Sequence, residues 1–153
     1  NEIVLAMADM SEKKIGALIV ISRRVGLKNY IETGIELEAS ISKQLLYSIF
    51  QHESPLHDGA LIIENGKVQA ASCFFFFFTR SDINPRLGTR QRAVIGITEE
   101  SDALALVVSE ETGVISVAED GQLSRHLDKA ELRETLAHSF EKSKEKSFMR
   151  RHL

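Results

Sequence analysis

The sequence is short of cysteine, proline and long apolar runs, and each shortage excludes a class of protein. Cys73 is the one cysteine among 153 residues, which excludes an internal disulfide framework and a thiolate-rich zinc site and favours a reducing compartment. Two prolines and nine glycines exclude a collagen-like chain or a proline-rich linker. No apolar run reaches the roughly 20 residues that a membrane-spanning helix needs. What remains is the profile of a globular domain that folds by itself.

The charge balance lacks a large excess of either sign. Nineteen Lys and Arg residues against 22 Asp and Glu residues give a formal net charge of −3 at pH 7. Because nucleic-acid binding depends on a basic surface that displaces counterions from many phosphates, no nucleic-acid partner is expected. With 43% hydrophobic residues the chain can bury a core. Since it opens at Asn1 without a start methionine or a signal-peptide pattern, we expect a domain excised from a longer protein.

Apolar periodicity predicts helices and strands in irregular alternation. The expected helices cover the stretch from Ile3 to about Lys14, the stretch from Ser40 or Ser42 to Gln51, the stretch from about Arg90 to Glu99, and a segment that opens at Asp128. The expected strands cover 17–21, 60–63, 68–78, 103–109 and 114–118, whereas 26–40 is expected to be a loop. This order predicts an α/β domain with a central mixed β-sheet flanked by helices. The domain would occupy residues 1–141, followed by a basic tail over 142–153.

Short local patterns support some of these elements. Asn65-Gly66 suits the positive φ angles of a tight turn between two strands. Asp128, with Glu131 three residues later, forms a capping-box pattern at a helix start. The run Phe74 to Phe78 favours either a strand packed on both faces or rings that face a planar ligand. Cys73 lies in an apolar strand and is expected to be a small buried residue rather than a nucleophile.

Polar residues gather in a first segment, 54–60, at the end of an apolar strand, where ligands of α/β sheets usually bind. Here His57 and Asp58 stand beside Gly59, which would let a ligand approach the backbone. Asp58 could bind a metal or accept a proton while His57 orients or ligates. The alternative is an ordinary turn that Asp58 caps.

Two further polar segments, 87–93 and 109–113, suit phosphate and metal. In the first, Gly88 and Thr89 open a helix whose free N–H groups, together with Arg90 and Arg92, suit phosphate oxygens; a solvated first turn is the alternative. The second offers a hydroxyl and two carboxylates to a hard cation, or is an acidic turn. Jointly, the three segments contain the parts for metal-assisted chemistry on a nucleoside polyphosphate. Spacing alone names neither the base nor the product.

In order and spacing, these segments resemble the diadenylate cyclase domain family (DAC, or DisA_N), of the membrane-associated type. The matching stretches are Gly16-Ala-Leu-Ile-Val-Ile21, Ser54-Pro-Leu-His-Asp-Gly-Ala60, Gly88-Thr-Arg-Gln-Arg-Ala93 and Ser109-Glu-Glu-Thr-Gly113. The resemblance runs from about residue 2 to residue 136. The family's Asp-Gly-Ala triplet is intact at 58–60, and its Arg-His-Arg triplet reads Arg90-Gln91-Arg92 here.

The resemblance implies a DAC fold and an enzyme that condenses two ATP molecules into cyclic di-AMP (c-di-AMP), a bacterial second messenger, with release of two pyrophosphates. Mn²⁺, Mg²⁺ or Co²⁺ would be required. Two domains would meet face to face, so that each ribose 3′-hydroxyl attacks the α-phosphate of the other nucleotide. The resemblance is also compatible with a higher oligomer. The domain would be cytoplasmic, and its parent could be membrane-anchored, since some relatives carry N-terminal transmembrane helices.

The resemblance also implies roles for individual residues. Those implied to be catalytic are Asp58, Arg90 and Arg92. Those implied to bind the nucleotide are Gly59, Ala60, Phe74, Phe75, Gly88, Thr89, Arg90, Gln91, Arg92, Ser109 and Glu110. Those implied to bind the metal are His57, Asp58 and Glu111.

Two departures from the family pattern keep other interpretations open. Gln91 stands where family members carry histidine, which removes any charge and proton-transfer role there. The phenylalanine run replaces a Tyr-Leu-Pro-Leu type of sequence. The chain could therefore be a nucleotide-binding regulatory or oligomerisation domain with impaired catalysis. A third possibility is an enzyme that acts on one nucleotide, such as an ATP pyrophosphohydrolase.

Overall fold

A computed structural model describes residues 1–74 and 89–139 of the chain. The helices are α1 (Glu2–Glu12), α2 (Lys28–Ile31), α3 (Lys43–Phe50), α4 (Thr89–Glu100) and α5, which covers 129–139. The strands are β1 (Ala17–Ile21), β2 (Ile35–Ser40), β3 (Ala60–Glu64), β4 (Lys67–Cys73), β5 (Leu104–Val108), β6 (Ile115–Glu119) and β7 (Gln122–Arg125). The predicted helices and central strands are confirmed to within a few residues.

Within the described residues, seven strands form one sheet in the order β2-β4-β3-β1-β5-β6-β7. β1 runs parallel to β3 and antiparallel to β5, and the other neighbouring strands are antiparallel. The sheet is therefore mixed, as predicted. β1 lies at its centre, and all five of its residues are buried.

The two faces of β1 point into two separate parts of the core. Ala17, Ile19 and Ile21 pack with α1, α3 and α5, while Leu18 and Val20 pack with α4. Successive side chains of a strand point to opposite faces, which explains this division. The molecule thus has helices on both faces of the sheet. Among the helices of residues 1–74 and 89–139, none combines the length and apolar character needed to cross a bilayer.

Local signals decide several element boundaries. Ser42, rather than Ser40, caps α3, because its side chain accepts a hydrogen bond from the Leu45 N–H at 3.1 Å. Asn65 and Gly66 have φ of 53° and 73°, as a tight hairpin turn between β3 and β4 requires. The start of α3 and the turn between β3 and β4 are thus determined by cap and turn chemistry that acts over a few residues.

The predicted loop over 26–40 is wrong, because it contains α2 and β2. Among the strands of the described residues, β2 pairs with β4 alone at the edge of the sheet, and most of its side chains are exposed. A bulge between Glu36 and Ala39, with Glu38 at φ 47°, breaks its register. The sequence of β2, Ile-Glu-Leu-Glu-Ala-Ser, alternates apolar and polar residues, so the signal from which strands are predicted was present and the prediction of a loop overlooked it.

The predicted extension of the second hairpin strand to residue 78 is wrong at Phe74. β4 ends at Cys73, and Phe74 is 55% exposed, so its ring is not packed on both faces of a strand. The other phenylalanines of the run lie outside the described residues, as does the tail over 142–153.

Candidate functional site

One cavity of about 300 Å³ collects residues from all three polar segments. It is lined by Lys14, Ile15, Gly16, Phe50, His52, His57, Arg90 and Glu110. His57 comes from segment 54–60, Arg90 from 87–93 and Glu110 from 109–113. The predicted convergence of the three segments on one site is therefore present in the fold.

His57 is held in one orientation by the loop that carries it. Its Nδ1 lies 2.7 Å from the carbonyl oxygen of Ser54, and because a carbonyl only accepts, Nδ1 donates its N–H. In the neutral ring, Nε2 then carries a lone pair, and it lies 3.3 Å from Oδ1 of Asp58. A metal cation placed between these two atoms could bind both of them. The pair fits one edge of a metal coordination sphere.

Asp58 stands on the outer side of a tight turn, with its side chain 76% exposed. The next residue, Gly59, has φ of 82°, and a Cβ there would lie 2.6 Å from the carbonyl oxygen of Cys73. Gly59 therefore serves packing against β4 as well as the turn itself. The arrangement holds the Asp58 carboxylate outward, toward whatever docks on this face.

Arg90 reaches the cavity from the first turn of α4. Its guanidinium lies 3.4 Å from Oε1 of Glu110 and only 2.9 Å from where a Cβ of Gly16 would stand. Glycine at 16 therefore lets the entry to β1 pass against the arginine. Glu110 is 63% exposed, so this ion pair is weak and an anion could replace the carboxylate. A helix start with a forked cation suits phosphate.

The other residues that the resemblance implies differ in how deeply they are buried and in what they contact. Gln91 is 6% exposed and lies on the α4 face that also carries Val94 and Thr98. Arg92 is half-buried. Ser109 Oγ accepts a 3.4 Å hydrogen bond from the Thr112 N–H within its own turn.

The remaining positions are buried, exposed or outside the described residues. Ala60 is buried and pairs with Cys73, next to the exposed Phe74. Thr89 is the first residue of α4, and Glu111 is exposed. Gly88 and Phe75 lie outside the described residues.

The three residues implied to bind metal are not gathered in one place. Among residues 1–74 and 89–139, no group of three His, Cys, Asp or Glu side chains is placed to hold a metal ion. His57 and Asp58 are adjacent, but Glu111 does not complete a cluster with them. A cation here would take two donors from this chain and the rest of its ligands from elsewhere.

Sequence reasoning missed two charged or polar residues of the cavity, Lys14 and His52. The His52 ring lies 5.4 Å from that of His57. Both missed residues stand beside matched motifs, so proximity to those motifs was the available signal. Cys73 is buried, and burial raises the pKa of its thiol to about 11, so it is not a nucleophile at neutral pH.

The sequence of the chain matches a known protein family and several curated relatives. The family described as "DisA bacterial checkpoint controller nucleotide-binding" (DAC) matches residues 4–123. Cyclic di-AMP synthase CdaA of Bacillus subtilis (strain 168) is 45% identical over 141 residues, which are 92% of this chain and 52% of that protein. Diadenylate cyclase of Listeria monocytogenes serotype 1/2a (strain 10403S) is 45% identical over 127 residues, 83% of this chain and 46% of that protein. The chain thus spans about half the length of these curated relatives.

Solved structures agree in fold. A crystal structure of a DacA double mutant from Staphylococcus aureus has a TM-score of 0.86 and 44% identity, covering 90% of this chain and 91% of that one. A structure of a hypothetical membrane spanning protein from Bacillus cereus has a TM-score of 0.78 and 44% identity, covering 82% of this chain and 62% of that one.

Proposed function

The chain belongs to the diadenylate cyclase (DAC) family, and on that premise we propose that this domain condenses two ATP molecules into c-di-AMP and releases two pyrophosphates. The observation that carries the proposal is the single cavity at which His57, Arg90 and Glu110 converge. It places the Arg90 guanidinium, which suits an anion, in the same cavity as His57, whose Nε2 lies 3.3 Å from Oδ1 of Asp58. The relatives named for this activity are 45% identical to the chain over 141 and 127 aligned residues.

The triphosphate would bind at the start of α4. Arg90 would exchange its weak pair with Glu110 for phosphate oxygens, assisted by the positive end of the helix dipole at the start of α4. Arg92, Ser109 and the backbone at Thr89 would add donors. Because these groups lie where charge develops on the leaving pyrophosphate, they would also stabilise the transition state.

The adenosine would lie on the other side of Asp58. Gly59 and Ala60 lie beside Cys73, so the exposed ring of Phe74 stands next to the turn that carries the acid. An exposed aromatic face can stack on a nucleobase, which supports the role that the resemblance implies for Phe74.

A divalent cation fits the donor set at His57 and Asp58. The Nε2 lone pair and Oδ1 are 3.3 Å apart, and Mg²⁺ commonly takes one or two protein ligands while phosphates and water supply the rest. Glu111, which the resemblance also implies as a ligand, forms no cluster with this pair within the described residues and is not part of the proposed cation site. When bound, the cation offsets charge on the triphosphate and makes a neighbouring hydroxyl more acidic.

Asp58 would accept the proton of a ribose 3′-hydroxyl. The 3′-oxygen then bonds to the α-phosphorus of the other ATP, and the bond to the bridging oxygen of pyrophosphate breaks; a second such step closes the ring. The outward position of Asp58 supports action on a nucleotide bound by a second copy of the domain. The reaction would therefore occur between two chains.

Glutamine at position 91 is compatible with this activity. Its side chain is buried within the packed face of α4, where a bracing role suits it better than contact with the triphosphate. A charge at that position is not required for Arg90 to line the cavity.

The parent protein is proposed to be membrane-anchored, with this domain on the cytoplasmic side. The support is the solved relative described as membrane spanning. Access to ATP also requires the cytoplasmic side of such a membrane.

Product analysis tests the proposed activity. The purified domain is incubated with ATP and Mn²⁺, Mg²⁺ or Co²⁺ in turn, and its nucleotides are resolved by chromatography and mass spectrometry. We expect c-di-AMP and pyrophosphate in a ratio of about one to two, and no product after chelation of the metal. AMP as the sole nucleotide product would instead identify a pyrophosphohydrolase, and ATP binding without turnover would identify a binding module.

A further inference from the structure

Helix α1 ends in a turn that places Lys14 in an unusual backbone conformation. The Lys14 N–H donates to Ser11 O at 3.2 Å and the Ile15 N–H to Met10 O at 2.8 Å, which is the Schellman pattern. Its left-handed residue is Lys14, with φ of 54°, where glycine is usual. Glu38 and others share a positive φ, so the conformation alone assigns no role to Lys14.

The position of Lys14 in the fold is more informative. Lys14 lines the cavity, and a Cβ on Gly113 would lie 3.5 Å from its Cγ. Its stem therefore lies against the loop that supplies Glu110. Two residues later, Gly16 passes against the guanidinium of Arg90. The turn thus brings Lys14 to the same wall as the proposed phosphate site.

The ammonium of Lys14 is available to a ligand. Within residues 1–74 and 89–139 it makes neither a hydrogen bond nor an ion pair, whereas its neighbour Lys13 donates to the Tyr47 hydroxyl at 3.0 Å. With histidines neutral, the cavity holds the cations Lys14 and Arg90 against the single anion Glu110. An anionic ligand would balance this charge.

We propose that Lys14 binds a phosphate group of the ATP held in this cavity, as a second cation beside Arg90. A lysine on a flexible stem is a compact point charge suited to phosphate. The inference rests on the proposed function, since it assigns a further substrate-binding residue to the same site. It contributes to binding of the nucleotide rather than to the chemical step.

Substitutions at Lys14 separate charge from backbone effects. Lys14→Asn removes the charge but tolerates the left-handed conformation, and Lys14→Arg keeps the charge. Lys13→Asn is the matched control, because it makes the same charge change one residue away on a side chain that contacts Tyr47. ATP affinity is measured by titration calorimetry, and KM and kcat by c-di-AMP formation.

We expect Lys14→Asn to raise both the Kd for ATP and the KM about tenfold, because one charge-assisted hydrogen bond to the nucleotide is lost. The kcat should stay within about threefold of that of the unaltered domain. Lys14→Arg should restore affinity to within about threefold, and Lys13→Asn should leave it unchanged. Inorganic tripolyphosphate should compete with ATP less effectively in Lys14→Asn than in the unaltered domain. Lys14→Gly, which relieves the backbone, should raise the melting temperature yet still lose ATP affinity.

The outcomes separate this inference from the proposed function. Unchanged ATP affinity in Lys14→Asn, or an equal loss in Lys13→Asn, overturns the role of Lys14 even if c-di-AMP is made. A selective loss in Lys14→Asn, in a domain that binds ATP but forms no c-di-AMP, supports Lys14 and overturns the proposed activity. An unaltered domain that binds no ATP overturns both.

Discussion

At the scale of single residues, one backbone atom orients the ring of His57 in the site. The carbonyl of Ser54 determines which ring nitrogen carries the proton, and this leaves Nε2 beside the Asp58 carboxylate. The motif predicts which residues take part. Their tautomer and spacing depend on the fold of the loop.

The same residue scale predicts a contrast between Asp58 and Arg90. Asp58→Asn should lower kcat by about a hundredfold or more while ATP affinity is retained, because the amide keeps the shape but cannot accept the proton. Arg90→Ala should instead raise the Kd for ATP by about tenfold or more. Calorimetry with ATP and steady-state product assays separate the two effects.

Glu53→Gln is the matched control for Asp58→Asn, since it changes an exposed carboxylate to an amide in the same loop. It should leave kcat and ATP affinity unchanged. Full turnover in Asp58→Asn would show that another group accepts the proton.

At the scale of elements, α5 shows how much of a helix the local sequence pattern can predict. Asp128 accepts from the Glu131 N–H at 2.8 Å, and Glu131 accepts from the Asp128 N–H at 3.2 Å, which is the predicted capping box. Leu132 and Leu136 then point into the core, as predicted. Phe140, the third expected core residue, lies outside the described residues.

The capping box leads to a stability prediction for α5. Asp128→Ala should lower the free energy of unfolding by about 1 kcal/mol, since it leaves helix N–H groups without their acceptor. Chemical denaturation of the domain measures this change. Lys129→Ala, one residue later on the exposed surface, should change stability by less than about 0.5 kcal/mol. Equal effects of the two substitutions would contradict a specific role for the cap.

At the scale of the whole molecule, the proposed reaction requires two copies of the domain. In the proposed reaction one chain would supply one acid and one site for ATP, whereas the product contains two nucleotides joined by two bonds. A net charge of −3 allows such copies to meet without strong repulsion. Activity should therefore depend on assembly.

This requirement predicts an unusual dependence of rate on enzyme concentration. Where sedimentation shows a monomer, the rate of c-di-AMP formation should rise with about the square of domain concentration, and it should become linear once dimers dominate. A strictly linear rate from a protein that sediments as a monomer would mean that one chain completes the reaction alone.

The sequence by itself determined the elements that depend on neighbouring residues: the helices with apolar periodicity, the buried central strands, the Asn65-Gly66 turn and the capping box. It also identified the three polar segments and the family. Periodicity, turn chemistry and motif spacing act over a few residues, so they can be read directly from the chain.

Only the tertiary structure decided what those segments form together. Strand order brings the end of α1, the start of α4 and two loops to one cavity, and it adds Lys14 and His52, which no motif contains. It also placed β2 at the edge of the sheet, paired with β4. The physical reason is that these features arise from contacts between segments distant along the chain, where sheet pairing and packing, rather than local preference, set which side chains meet.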